Sequence, residues 1–225
     1  MRHFIEALAV SLALALFVPA AASAQENGAS VQFSLLDIQN LTVSKIIDID
    51  KDYTDQYGGN APAPFRLYVP QTEGITPLYK TPEEGFDTLI EVIFATEDRQ
   101  LVENIRFTPM TIALGPLDER QQTMLQLMRD NVFAGFTNGY DDVHYVGARA
   151  TKVNTYDAVE VLGLYTDPEF GKMYLRIVGI LNPDSEKTVF AIANVASKYL
   201  SLPTPDDFDK TRTGYMLSKF EFLPQ

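Results

Sequence analysis

Three consecutive runs of β-branched and aromatic residues, all within residues 157–195, constrain the fold more than any other part of the sequence. Two turn-rich segments, residues 166–171 and 182–186, separate these runs. Connections this short join antiparallel neighbours, because a parallel pair of strands needs a crossover of about a dozen residues or more. The sequence therefore predicts an antiparallel meander of three strands at the centre of a sheet.

The middle run is apolar on both of its faces. Successive side chains of a strand point to opposite sides of the sheet, so Tyr174 and Val178 fall on one face and Leu175 and Ile177 on the other. A strand with one face in water would instead alternate apolar and polar residues. We therefore expect both faces of the sheet to be covered, at least in part by helices.

Further elements are predicted on both sides of the meander. Pro109 is expected to interrupt one strand or to place a bulge in it. Helical periodicity runs from Asp118, which can cap the helix, to Phe133, and a second helix is expected to begin at Thr204. The segments with a strand pattern are residues 65–69, 89–95, 103–114 and 144–153. The segments expected to be loops are residues 72–86 and 135–142.

The first 24 residues have the pattern of a secretory signal peptide. A short polar start precedes an apolar run over residues 5–21, and the small residues 22–24 fit a cleavage site. The apolar run is short for a membrane span. We therefore expect cleavage near Ala24 and a periplasmic or secreted mature chain without a transmembrane segment. The elements of residues 25–225 predict one α+β domain, with a largely antiparallel sheet flanked by helices as an α/β/α sandwich.

The chain contains no cysteine and carries a net charge of −12. Without disulfides, the stability of the fold must come from packing, although an exported protein could form them. An acidic surface disfavours nucleic acids and anionic membranes as partners. The charge is in the first place a source of solubility.

No catalytic motif stands out in the sequence. His144 is the one histidine of residues 25–225, whereas a zinc site usually needs several histidine or cysteine ligands. No serine lies in a G-x-S-x-G pattern, and there is no P-loop and no G-x-G-x-x-G. Hydrolysis by two carboxylates stays open, but an acidic chain always offers pairs of acids.

Alternating acids in one segment suggest a calcium site. Asp48, Asp50, Asp52 and Asp55 could offer carboxylate oxygens to Ca²⁺, although their spacing departs from the EF-hand pattern. The alternative is a solvated acidic strand end or loop. Calcium is the one cofactor that the sequence suggests.

A second polar group surrounds the histidine. Asp141, Asp142 and His144 could bind a metal ion, or the histidine could titrate near neutrality. Tyr140 precedes them in a turn-rich loop, where a tyrosine among small polar residues can belong to a recognition surface. The alternative is an ordinary surface histidine at the start of a strand.

From His144 onward the predicted order is four strands followed by a helix. The corresponding sequences are YVGARATKV, DAVEVLGLYTD, GKMYLRIVGIL, TVFAIANV and PDDFDKTRTGYMLSKFEF. This half of the chain resembles PsbP-like α+β domains, in which helices sandwich an antiparallel sheet. The resemblance implies a non-catalytic accessory or binding protein. It rests on topology and hydrophobic positions, so it transfers no functional residue.

Three functional hypotheses follow. The first is an exported, non-catalytic binding or accessory protein that acts on a protein or another envelope component. The second is a carboxylate-based hydrolase, which predicts two facing acids in a concave pocket. The third is a carrier of a small ligand or lipid, which predicts an apolar cavity between the sheet and a helix.

Overall fold

The computed structural model of the chain describes residues 33–58, 63–82 and 88–224. The signal peptide expected over residues 1–24 lies outside the described residues. The strands are β1 (Thr42–Ile49), β2 (Phe65–Gln71), β3 (Thr76–Lys80), β4 (Ile90–Ala95), β5 (Leu101–Thr111), β6 (Asp141–Val153), β7 (Tyr156–Asp167), β8 (Gly171–Ile180), β9 (Lys187–Ala196) and β10 (Glu221–Phe222). The α-helices are α1 (Lys51–Tyr57), α2 (Leu117–Leu127), α3 (Ala134–Thr137) and α4 (Arg212–Ser218). A π-helical segment, Met128–Phe133, joins α2 to α3, and 3₁₀ helices lie at Ile38–Asn40 and Pro205–Lys210.

A seven-stranded antiparallel sheet with the order β3-β4-β5-β9-β8-β7-β6 forms the centre of the molecule. The meander expected over residues 157–195 is confirmed as β7, β8 and β9. It lies between β5 and β6. The pairing of β8 with both β7 and β9 is regular from Met173 to Ile180, as the apolar pattern on both of its faces predicts.

Two different layers cover the large sheet. On one face, α2, the π-helical segment and α3 pack against β7 and β8. On the other face lie α4 and a second, three-stranded sheet with the order β1-β2-β10. The predicted α+β class with a largely antiparallel sheet and flanking helices is confirmed. One of the two covering layers of this sandwich is built from strands as well as from a helix.

Glycine lets the helical layer approach the sheet closely. Gly179 of β8 lies directly under Met124 and Met128, and a Cβ at Gly179 would overlap both sulfur-bearing side chains. Both methionines are fully buried and belong to the core. The helical run is longer than the sequence predicts. It begins at Leu117 and ends at Thr137, inside the expected loop 135–142.

Three other predictions about the elements need correction. Pro109 neither ends β5 nor bulges it, because the β4–β5 pairing stops at Phe107 and no ladder partner is lost on that side. The expected connection 72–86 contains β3, which pairs with β4. The helix expected from Thr204 is divided, because Thr211 is extended and caps α4 by accepting from Gly214 N.

None of the helices within the described ranges is long and apolar enough to cross a membrane.

Candidate functional site

β6 is the longer of the two edge strands of the large sheet. It is 13 residues long, pairs with β7 on one side, and has no strand partner on the other side among the described residues. Its side chains are exposed or half-buried along almost the whole strand. An unpaired edge presents a row of backbone N–H and C=O groups that can pair with another chain. This strand is therefore the first element to consider as a binding surface.

Two irregularities divide β6 into a distorted half and a regular half. The register with β7 shifts between Asp141 and His144 and again between Tyr145 and Gly147, and Asp142 has a φ of 49°. Bulges of this kind commonly re-aim side chains at sheet edges. From Gly147 to Val153 the register is continuous. The regular half is therefore the part of the edge that can accept another strand.

The distorted half turns apolar side chains outward. Val143, Tyr145 and Val146 are 37%, 47% and 54% exposed. Tyr145 packs edge-on against Phe133 of the helical layer, with ring centroids 5.6 Å apart. This contact depends on Gly163 of β7, where a Cβ would overlap the Phe133 ring. The chain thus keeps apolar groups in water at this edge instead of burying them.

A groove runs beside this apolar segment. It encloses about 200 Å³ between β6, β7, β8 and the segment that leads into the 3₁₀ helix Pro205–Lys210. Its lining is predominantly apolar. The apolar side chains in its lining include Val146, Leu162, Leu164, Tyr174, Leu202 and Phe208. Leu162, Leu202 and Phe208 also belong to a small buried cluster, so the floor of the groove is part of the core.

Buried charges fix the wall of the groove to the sheet. Glu160 of β7 accepts hydrogen bonds from Nε of Arg149 and, at 2.7 Å, from Nε of Arg176. The two arginines then reach the 3₁₀ helix, because Arg149 donates to Asp206 at 2.7 Å and Arg176 donates to Asp209 at 2.6 Å. Asp206 first and Glu160 second raise the pKa of Arg149. These bonds hold the groove open in one geometry.

The structure places the predicted surface group at the start of β6. Asp141, Asp142 and His144 are exposed, and Asp142 accepts a hydrogen bond from Thr166 Oγ1 at 3.1 Å. Tyr140 is half-buried and packs against Tyr165, with ring centroids 4.5 Å apart. The group therefore borders the apolar segment 143–146. Sequence reasoning identified this location but not the neighbouring apolar groove.

The four acids of the predicted calcium site do not share a common partner. Asp48 binds Arg66 through two hydrogen bonds of 2.6 and 2.8 Å. Asp50 caps α1 by accepting from Tyr53 N, and Asp55 pairs with Lys51. Asp52 is exposed in the first turn of α1. In the described parts of the chain, no group of three or more His, Asp or Glu side chains converges in a way that could hold a metal ion.

The buried acids also have fixed partners. Glu160 lies between two arginines, and Glu103 pairs with Arg212. A two-carboxylate hydrolase needs facing acids of different ionisation, and these two carboxylates are instead neutralised by guanidinium groups. The carrier hypothesis predicts an apolar cavity between the sheet and a helix. At Gly179, Met124 and Met128 fill the space between β8 and the helical layer.

Comparison with known proteins gives likenesses of fold. No protein-family model matches the chain, and no curated protein matches its sequence. The chain resembles the solved structure of cyanobacterial PsbP (CyanoP) from Synechocystis sp. PCC 6803, with a TM-score of 0.48, 10% identity, and coverage of 81% of this chain and 95% of that chain.

Two other solved structures also resemble the fold of this chain. The Ran-binding protein Mog1p of Saccharomyces cerevisiae has a TM-score of 0.40 and 13% identity, with 80% of this chain and 96% of that chain covered. LpqN of Mycobacterium tuberculosis, which is involved in cell envelope biogenesis, has a TM-score of 0.44 and 10% identity, with 80% and 91% covered. The resemblance to PsbP-like domains that was expected from the sequence is thus met again among solved folds. Likenesses this distant transfer neither a residue nor a function.

Proposed function

We propose that this chain is an exported, non-catalytic binding protein of the bacterial envelope, and that it captures an extended, apolar segment of a protein partner along β6. The observation that carries the proposal is the unpaired edge of β6, whose regular half ends at the apolar groove beside Val146. The signal peptide expected over residues 1–24 supports the envelope location.

The mode of binding follows from the two halves of the strand. A partner segment would pair its backbone with the regular edge from Gly147 to Val153 and add an eighth strand to the sheet. Main-chain hydrogen bonds supply affinity in this mode, and pockets for alternate side chains supply specificity. The groove between Val146 and Phe208 is the pocket that would receive an apolar side chain. The partner is therefore a polypeptide with apolar residues at alternate positions.

The choice of a binding function also rests on the chemistry of the buried charges. The ion pairs around Glu160 tie the carboxylate to two arginines and hold the wall of the groove in place. A fixed, apolar groove suits recognition, because binding then costs little conformational entropy.

Random peptides displayed on phage test the proposal. We expect selection on residues 25–225 to enrich peptides that alternate apolar residues. A selected peptide should lose affinity by about tenfold or more for Val146→Asp, because a carboxylate would then occupy the apolar groove. Leu78→Asp is the matched control, since Leu78 is 40% exposed on β3, the opposite edge strand.

Hydrogen exchange provides the second measurement. The bound peptide should slow exchange of amides within residues 147–153. Equal affinity of the selected peptides for the wild type and Val146→Asp would overturn the proposal. A peptide that protects β3 and leaves residues 147–153 unchanged would overturn it as well.

A further inference from the structure

Arg120 is a buried cation in the first turns of α2. The residue is only 6% exposed to solvent. Nη1 donates to the backbone carbonyl oxygen of Asn182 at 2.9 Å, and Nη2 donates to that of Ser185 at 3.1 Å. Nε is buried and has no hydrogen-bond partner. The guanidinium is therefore held in a fixed position by neutral groups.

No carboxylate among the described residues forms an ion pair with Arg120, whereas the buried Arg176 and Arg212 each have at least one acidic partner. Burial of a charge is costly unless the charge is paired and hydrogen-bonded, so buried charges in proteins almost always have a counter-ion. The missing counter-ion points to an anion that comes from outside the chain.

The start of α2 offers free backbone N–H groups, and its first turn also carries the exposed Asp118 and Glu119. α2 is 11 residues long, and its N-cap, Pro116, has no side chain that can accept from the first backbone N–H groups. The N-terminus of a helix carries a partial positive charge and free N–H donors. Leu117 and Arg120 of α2 line one cleft together with Gly115.

The cleft that these groups line encloses about 270 Å³. Its other walls come from Thr155, Tyr156, Asp157, Leu181 and Pro183. Leucine, proline and tyrosine side chains give it an apolar portion beside the charged end. Asp157 is the one acid in the wall, and it is engaged by Lys152 Nζ at 2.9 Å. The cleft thus combines a buried cation with apolar contact area at the start of a helix.

We propose that this cleft binds a small organic carboxylate, with the carboxylate at the N-terminus of α2 near Arg120 and its apolar part against Tyr156 and Leu181. A singly charged ligand fits better than a phosphate dianion, because both terminal nitrogens of Arg120 already donate to carbonyl groups and Asp157 repels further negative charge. The carboxylate comes either from a free acid or from the C-terminus of a peptide.

Titrations followed by NMR test the proposal on residues 25–225. Hexanoate is the probe for a free acid, and hexanol is its neutral control. A short peptide that ends in leucine is the second probe, and the same peptide with a C-terminal amide is its control. Inorganic phosphate is the third probe. We expect saturable shifts of the amides of residues 117–120 and 155–157 with hexanoate or with the peptide acid, and none with hexanol, the amide or phosphate.

Two variants connect these shifts to the charge. Arg120→Met should raise the dissociation constant by about tenfold or more, because the buried cation is lost. Gly115→Glu puts a carboxylate at the mouth of the cleft, where an added Cβ meets nothing within 4 Å, so it keeps the fold and should weaken binding similarly. Arg129→Gln removes an exposed cation of the adjoining π-helical segment and should leave binding unchanged.

Each outcome decides the proposal. Shifts with hexanoate alone identify a free acid as the ligand, and shifts with the peptide acid alone identify a polypeptide C-terminus. Equal shifts with hexanol, unchanged affinity in Gly115→Glu, or no saturable shift with either carboxylate would overturn the proposal. If Arg120→Met does not fold, Gly115→Glu still decides. Because β6 lies elsewhere, loss of peptide binding in Val146→Asp leaves this test unaffected.

Discussion

Arg212 of α4 donates from Nη1 to Oε1 of Glu103 on β5 at 2.8 Å, where the two side chains are 2% and 0% exposed. The second oxygen of Glu103 accepts from Thr213 N at 3.0 Å, and Nε of Arg212 donates to Thr72 Oγ1 at 2.7 Å. This pair ties the C-terminal helix to the large sheet and to the end of β2.

Removal of one member of this pair should be costly. We expect Arg212→Met to lower the free energy of unfolding by about 3–5 kcal/mol, because Glu103 then remains as an unpaired buried charge. The double variant Arg212→Met with Glu103→Leu should regain part of that loss. Urea unfolding measures the free energy of unfolding of the single and the double variant, provided that the m-value stays the same. A double variant no more stable than Arg212→Met would contradict this account.

Two helix glycines should respond in opposite ways to the same substitution. A Cβ at Gly214 in α4 would collide with the backbone carbonyl of Phe208, so Gly214→Ala should cost about 2–3 kcal/mol. Gly135 in α3 has nothing within 4 Å of an added Cβ, so Gly135→Ala should stabilise by about 0.5–1 kcal/mol through helix propensity. Thermal midpoints should therefore move down and up, and shifts of the same sign would refute the packing argument.

Asp207 predicts a dependence of stability on acid pH. Lys210 first and Thr204 second donate to its carboxylate and hold the pKa of Asp207 below its usual value. A lowered folded pKa gives stability that is present above the unfolded pKa, about 3.9, and is lost as the pH falls through the folded value.

The variant Asp207→Asn tests this sign. Its deficit in unfolding free energy relative to the wild type should be largest near neutral pH. The deficit should shrink as the pH falls below about 4, where the wild-type carboxylate takes up a proton. Urea unfolding over this range measures the deficit, and a deficit that does not change with pH would rule out the carboxylate as its source.

Glu160 should control both stability and the groove. Glu160→Gln leaves Arg149 and Arg176 without their shared anion, and we expect a loss of about 3 kcal/mol in unfolding free energy. Affinity for a peptide selected on the β6 edge should fall with it, since the wall of the groove loses its anchor. Glu169→Gln in an exposed turn is the control, with an expected change within about 0.5 kcal/mol. Unchanged peptide affinity in folded Glu160→Gln would separate the ion pairs from binding.

Calcium at residues 48–55 remains a prediction that calorimetry can settle. Binding would have to displace Arg66 from Asp48 and Lys51 from Asp55. We therefore expect calcium to bind no more tightly than about 1 mM, at the weak end of protein calcium sites. A saturable heat at micromolar calcium that disappears in Asp48→Asn would contradict this expectation.

The central meander can be predicted because the sequence pattern of each strand and turn lies within a few consecutive residues. Each of β7, β8 and β9 is a continuous apolar run, and the turns at Asp167 and Pro183 are short. The start of α2 is less predictable. The sequence pattern suggests Asp118 as the N-cap, whereas the helix begins at Leu117 and its N-cap is Pro116. β10 has two residues and therefore no periodicity to detect.

The groove escapes sequence reasoning for a different reason. Its lining comes from residues as far apart as Val146 and Phe208, which only tertiary structure brings together. The exposure of Val146 depends on bulges that the strand pattern does not reveal. Arg120 lies on a helix that is clear from the sequence, but its missing counter-ion becomes visible only when its surroundings are known.

The small sheet joins two segments that lie far apart in the sequence. Glu221 of β10 pairs with Arg66 of β2, 155 positions away, and Phe220 stacks on Phe65. The core between the two sheets therefore cannot close until residues 220–222 have been synthesised, and contacts this distant in sequence form slowly.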